Sequence, residues 1–186
     1  MPIKAIYASH EDRMKKAIEV LRREYSSIRA GRATTGLLDK VTVDYYGAQS
    51  PINQVANISI PEPRAIVIQP WDKKTLPAIE KAILKSDLGL TPNNDGMVIR
   101  LILPQLTQQR RQELTKLVHK GAEDSRVAIR NLRRDANEAL KKAEKDKTAS
   151  EDEVKKAQDD IQKLTDKYIK EIDQVMAAKE KEIMEV

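Results

Sequence analysis

Arg126-Val-Ala-Ile-Arg130-Asn-Leu-Arg133-Arg134-Asp-Ala-Asn137 is a stretch in which every residue suits a helix and no Gly or Pro interrupts. Ala128, Ile129, Leu132 and Ala136 recur every three to four residues, the period of one buried helical face. Arg126, Arg130 and Arg133 follow the same period about a third of a turn away, at about 100° per residue. In register, this second stripe runs back through His119, with Arg111 near its edge, and forward to Asn137. One long helix therefore carries a core face and a guanidinium face.

The choice of arginine has chemical content. A guanidinium is a planar fork that takes phosphate bidentately and stacks on bases, whereas an ammonium is a hydrated point charge. Arginines on successive turns suit a structured anionic surface such as folded RNA. The plainer reading is the solvated flank of a helix bundle. Arginine bias, few carboxylates on that face and an uneven charge distribution weigh against it.

Lys and Arg outnumber Asp and Glu by 34 to 29, and the excess is localised. The balance is +3 for residues 1–30, +1 for 31–105, +5 for 106–134 and −4 for 135–186. A basic segment on a nearly balanced chain favours a defined anionic partner over a nonspecific DNA coat. Charged residues make up 34% and aromatic ones 3%, with no Phe, which fits long helices with thin aliphatic seams. Without cysteine there is neither a disulfide nor a thiolate metal site, and His10 and His119 stand too far apart to suggest a metal centre. No apolar run approaches a membrane span and the start lacks a signal-peptide core, so a soluble cytoplasmic protein is expected.

Residues 3–29 read as a helix with a seam of Met14, Ala17, Leu21, Tyr25 and Ile28, ending near Gly31, with Ser9 and Asp12 as a possible internal capping pair. From Leu37 the period becomes strand-like. Val41–Tyr46, Val55–Ile60, Arg64–Gln69 and Met97–Leu103 read as strands, and a short helix capped by Thr75 lies between the last two. Thr107 opens the long second helix, whose seam is Leu114, Val118, Gly121, Ser125, Ala128, Leu132, Ala136, Ala139 and Ala143. Its small residues permit close helix approach. Ser150-Glu-Asp-Glu153 is a capping box opening a third helix with seam Val154, Ala157, Ile161, Leu164, Tyr168, Ile172 and Val175.

Three helices with matching narrow seams predict a three-helix bundle from residues 1–30 and 106–186, with a small β/α/β domain of residues 31–105 inserted between helices 1 and 2. The fold class is α+β. The chain passes twice between the two parts, at Ala30-Gly31-Arg32 and at Pro104-Gln105, and this double tether is a hinge candidate set against a rigid junction.

The stretch from Arg126 to Asn137 resembles the signature helix of bacterial ribosome recycling factors. So do Ile28-Arg-Ala-Gly-Arg-Ala33, Val43-Asp-Tyr-Tyr-Gly47, Lys81-Ala-Ile-Leu-Lys-Ser-Asp-Leu-Gly-Leu90, Leu106-Thr-Gln-Gln-Arg-Arg111 and Asp159-Asp-Ile-Gln-Lys-Leu-Thr-Asp166. The resemblance covers the whole chain. It implies an L-shaped protein of long antiparallel helices that binds large-subunit rRNA of the post-termination ribosome at the A and P sites. With elongation factor G and GTP it splits the subunits, its bundle touching rRNA and its small domain meeting the GTPase. It implies no cofactor, no metal, no catalysis and a monomer. Arg111, Arg130 and Arg133 fall on its main RNA-contacting arginines, and Arg29 and Arg32 sit in its segment near the hinge. With the stripe, the candidate rRNA set is Arg111, Arg126, Arg130, Arg133, Arg134 and Arg29. Thr34-Thr35 departs from the Ser-Pro of many bacterial members, which bears on the stiffness of the first tether. The absence of a transit-like segment fits a bacterial rather than an organellar protein.

On this reading the mechanism is mechanical: arginines anchor the bundle on phosphates and bases while force on the small domain strains it. The chain has no Gly-rich phosphate-binding motif, so GTP chemistry belongs to the partner. An enzyme reading finds no nucleophile–base pair. Glu151, Asp152 and Glu153 suit a helix N-terminus, and Asp159-Asp160 suits a solvated face. The remaining rivals are a protein-binding coiled coil and a generic RNA binder. Trp71 is weighed as a partner contact against the more ordinary role of packing.

Overall fold

The computed structural model describes residues 2–185. Its helices are α1 (Ile3–Ser26), α2 (Ile52–Val55), α3 (Leu76–Lys85), α4 (Gln108–Lys145) and α5 (Glu151–Met184). Its strands are β1 (Thr42–Tyr45), β2 (Ala48–Pro51), β3 (Ala56–Glu62), β4 (Ala65–Pro70), β5 (Asn93–Asn94) and β6 (Ile99–Ile102). The chain forms two compact units, one of Met1–Arg29 with Thr107–Val186 and one of Ala30–Leu106.

The first unit is a bundle of α1, α4 and α5. Arg13 lies 3.8 Å from Asp135 and the Tyr25 hydroxyl bonds Val118 O, so α1 and α4 are antiparallel. Arg22 meets Glu171 and Lys179 meets Ile28 O, so α1 and α5 run parallel. The buried stripe of α4 is Leu114, Val118, Ala122, Ser125, Ile129, Leu132, Ala136, Leu140 and Ala143, facing Val154 through Ile172 and Ile183 of α5. Fully burying an aliphatic side chain of this kind contributes about 1.5–3 kcal/mol. At Gly121 the side chains of α1 come close: a Cβ there would lie 3.3 Å from Tyr25 Cε1 and 3.4 Å from Leu21 Cδ1.

Helix ends follow local chemistry. Thr107 Oγ1 accepts from Arg110 N–H, and Ser150 and Glu153 form the complete capping box. Between α4 and α5 the chain reverses at Lys147, in the left-handed region at φ 59°, with Thr148 N–H donating to Ala143 O.

The sequence expectation differs in detail. The first helix begins at Ile3 and runs through Ser9 and Asp12 without an internal cap, and it ends at Ser26, before Gly31. Ile6, His10 and Ile18 are buried on it, whereas Ala17 and Ile28 are only half-buried. His10 fits because Nδ1 sits 2.8 Å from Ile6 O, the backbone group one turn earlier.

The second unit pairs β1 with β2 in a hairpin and forms an antiparallel sheet in the order β3-β4-β6-β5. Val43, Ile52, Ile66, Ile68, Ile79, Ile83, Ile99 and Leu101 fill its core, all at most 1% exposed. Three elements lie outside the expected pattern, β2, the turn of helix α2 and the two-residue strand β5. The segment Ala48-Gln-Ser-Pro51 is polar and becomes a strand by pairing, Tyr45 with Ala48 through Thr42 with Pro51. Thr75 stands at the N-cap position of α3 as expected, but its side chain makes no capping bond there. It is itself helical and buried, its hydroxyl donating to Asp72 O, while Asp72 Oδ1 accepts from Lys74 N–H.

Candidate nucleic-acid interface

His119, Arg126 and Arg133 recur at intervals of seven along α4 and all reach toward α5. His119 Nε2 lies 2.5 Å from Glu180 Oε1, and Arg133 Nη1 donates to Gln162 Oε1 at 3.4 Å. Between them, Arg126 donates to Asp173 Oδ1 from Nε (3.0 Å) and Nη2 (2.6 Å), and to Glu123 Oε2 from Nη1 (3.2 Å). Asp173 does most to hold the Arg126 guanidinium protonated, ahead of the opposing effect of burial and the help of Glu123. Its side chain is only 18% exposed.

Arg126 therefore departs from the expectation that the whole stripe faces an external anion. Most of its N–H groups are taken up by Asp173 and Glu123 at the edge of the α4–α5 seam, where it clamps α4 to α5. The expectation of few carboxylates on this face fails for the same reason. Glu123 lies on the stripe itself, and antiparallel packing brings the acidic residues of α5 alongside it.

The outward part of the stripe is different. Arg130 lies about 40° and Arg134 about 80° around the axis from Arg126. The Arg130 side chain is 43% exposed, and its ion pair is a loose one, Nη1 to Glu123 Oε1 at 3.7 Å. Arg134 is exposed and makes no ion pair among the described residues. Arg133 is half-buried and, among the described residues, held only by the long bond to Gln162. Arg111 is half-buried near the end of α5, with Nη1 3.4 Å from Met184 O and a buried Nε without a hydrogen-bond partner among the described residues. Arg29 is exposed beyond the end of α1. Lys179, which the sequence reading did not single out, supports that end: its Nζ donates to Ile28 O at 3.0 Å and pairs with Glu182 at 3.3 Å.

In the second unit the two ends of the inserted chain lie together. Ala33 N–H donates to Pro63 O at 2.7 Å and Leu103 N–H to Arg64 O at 2.8 Å, so one turn pins both. Ala30 is buried; Arg32, Pro104 and Gln105 are exposed. Gly31 sits at φ 75°, and a Cβ there would come within 3.2 Å of Leu106 Cγ. On the same unit, Trp71 is 69% and Tyr46 is 73% exposed, which removes packing as the role of Trp71. Tyr46 and Gly47 both have positive φ in the two-residue β1–β2 turn. The Tyr46 hydroxyl donates to Asp72 and its ring packs edge-on to Tyr45. That hydrogen bond from Tyr46 is the main cause holding the Asp72 carboxyl below its usual range, followed by the Lys74 N–H.

Among the described residues no helix is long and apolar enough to cross a membrane. The profile of the ribosome recycling factor family matches residues 21–184. The ribosome-recycling factor of Heliobacterium modesticaldum is 66% identical over 184 residues, covering 99% of this chain and all of that protein. That of Desulfitobacterium hafniense strain Y51 is 67% identical over 176 residues, 95% of each. A solution structure of a ribosome recycling factor aligns with a TM-score of 0.73 and 49% identity, covering 99% of this chain and 98% of that one. The chain is also similar, at 46% identity and a TM-score of 0.62 over the full length of both, to a chain from models of the T. thermophilus ribosome recycling factor and the E. coli elongation factor G bound to the E. coli post-termination complex.

Proposed function

We propose, for a chain that belongs to the ribosome recycling factor family, that it binds the post-termination ribosome on the large-subunit side of the A and P sites. There, with elongation factor G and the GTP which that partner hydrolyses, it separates the subunits and releases mRNA and tRNA. The observation that carries this reading is the full-length likeness to a chain from models of a recycling factor and elongation factor G on a post-termination complex. Members of this family are translation factors without enzymatic activity of their own, and the chemical energy enters through the GTPase.

In this reading Arg130, Arg133 and Arg134 grip rRNA phosphates and bases, with Arg111 and Arg29 extending the contact along the bundle. Arg126 serves from the edge of the seam by fixing α4 against α5. The bundle supplies stiffness, since its long helices share one continuous aliphatic seam. The second unit receives the GTPase, and the exposed Trp71 and Tyr46 are the aromatic groups it has to offer a protein partner. Ala30, Gly31, Arg32, Pro104 and Gln105 form the hinge that passes force to the bundle. The protein acts as a monomer in the cytoplasm.

The test is subunit separation followed by light scattering on post-termination ribosomes with elongation factor G and GTP. The expected result is separation that needs this chain and GTP hydrolysis together. Ribosomes that stay intact in the presence of all three components would overturn the reading.

A further inference from the structure

The two arginines at the centre of the stripe share one carboxylate. Glu123 sends Oε2 to Arg126 Nη1 at 3.2 Å and Oε1 to Arg130 Nη1 at 3.7 Å, and its side chain is 57% exposed. Arg126 holds its oxygen at hydrogen-bond distance and is also fixed by Asp173, whereas Arg130 is paired only loosely and is more than twice as exposed. The carboxylate oxygen beside Arg130 stands where a nucleic-acid phosphate oxygen would sit on the same guanidinium edge.

We infer that Glu123 is an internal competitor for the rRNA-binding face, a positioning residue that occupies Arg130 in the free protein and gives it up to an rRNA phosphate. The inference rests on the rRNA-binding reading of this face. When a phosphate arrives, Glu123 retains Arg126, so neither the carboxylate nor Arg126 is left unpaired and the exchange costs little. The same competition acts against any polyanion. A loosely matched anion gains Arg130 only by displacing Glu123, whereas a surface that also engages Arg133 and Arg134 draws on several contacts at once. Glu123 thus lowers the affinity for any polyanion that takes Arg130, and a surface that also engages Arg133 and Arg134 has the further contacts to offset that cost.

The test is Glu123→Gln, which removes the charge and keeps the shape at an exposed position. Binding of wild type and variant to ribosomes and to bulk tRNA is measured by pelleting and competition across a salt series. The variant is expected to bind ribosomes about three- to tenfold more tightly and bulk tRNA more tightly by no larger a factor. Its log–log salt dependence on ribosomes should steepen by about one, because the binding face then carries one negative charge fewer against the same phosphates. Glu123→Asp, shorter but charged, should restore most of the wild-type salt slope. Unchanged or weaker ribosome binding by Glu123→Gln, with an unchanged salt slope, would overturn the inference and leave Glu123 as a strut for Arg126. Matched thermal melts of the variants exclude misfolding as the cause. If wild type itself ignores ribosomes, the functional reading fails rather than the role of Glu123.

Discussion

The two sides of α4 are joined to the bundle by different physics. Toward α1 the contact is one of shape: Gly121 removes a side chain so that Leu21 and Tyr25 come within 3.4 Å of where its Cβ would stand. Toward α5 the aliphatic seam is edged with charge, with His119 beside Glu180, Arg126 beside Asp173 and Arg133 beside Gln162. The shape-based side carries few polar contacts, Arg13 beside Asp135 and the Tyr25 hydroxyl on Val118 O, and none of them presents an arginine of α4. The charged side uses up Arg126 but leaves Arg130 and Arg134 turned outward, and this remainder is what a nucleic acid can use. A basic helix packed on an acidic one is therefore only partly neutralised, and the unneutralised strip is displayed on a stiff support.

The largest expected change comes from spoiling the shape-based side. Gly121→Leu forces atoms into Tyr25 and Leu21, with a stability loss of about 1–3 kcal/mol expected despite the better helix former. A denaturant melt checks it, and a neutral result would mean that α1 can retreat freely.

Next is Tyr25→Phe, which deletes the 2.6 Å bond from the hydroxyl to Val118 O and should cost about 1 kcal/mol. Burial does most to push this phenol up to about 12, whereas in the unfolded chain it releases its proton near pH 10. The native state thus keeps a proton that the unfolded state loses. Its contribution is complete below pH 10 and declines between pH 10 and 12. The difference in stability between wild type and Tyr25→Phe, measured across that window, should shrink as pH rises.

The smallest effect belongs to the charged side. Asp173→Asn should lower stability by less than about 1 kcal/mol, because Asp173 is 52% exposed, and the loss should fade as salt is added. A loss as large as that of Gly121→Leu would mean that charge rather than shape holds α5 in place.

Much of the fold could be read from local chemistry. Ser150 and Glu153 announce the start of α5 within four residues, and the alternation in residues 55–60 and 64–69 marks β3 and β4. The strand β2 could not be read this way, because Ala48-Gln-Ser-Pro51 has no apolar period and is a strand only because β1 pairs with it. Arg126 illustrates the same limit in the candidate interface. Its spacing is identical to that of Arg130 and Arg133, and what separates it is Asp173, forty-seven residues away and brought alongside by the packing of α5. The i,i+3 relation of Glu123 to Arg126 was the one local hint.

The central claim, that the outward arginines of α4 grip rRNA, is tested most directly by pelleting ribosomes with wild type and with Arg134→Ala over a series of salt concentrations. The account predicts weaker binding by the variant, a log–log salt slope shallower by about one, and an unchanged melt. Coincident binding curves across the whole salt series would contradict it.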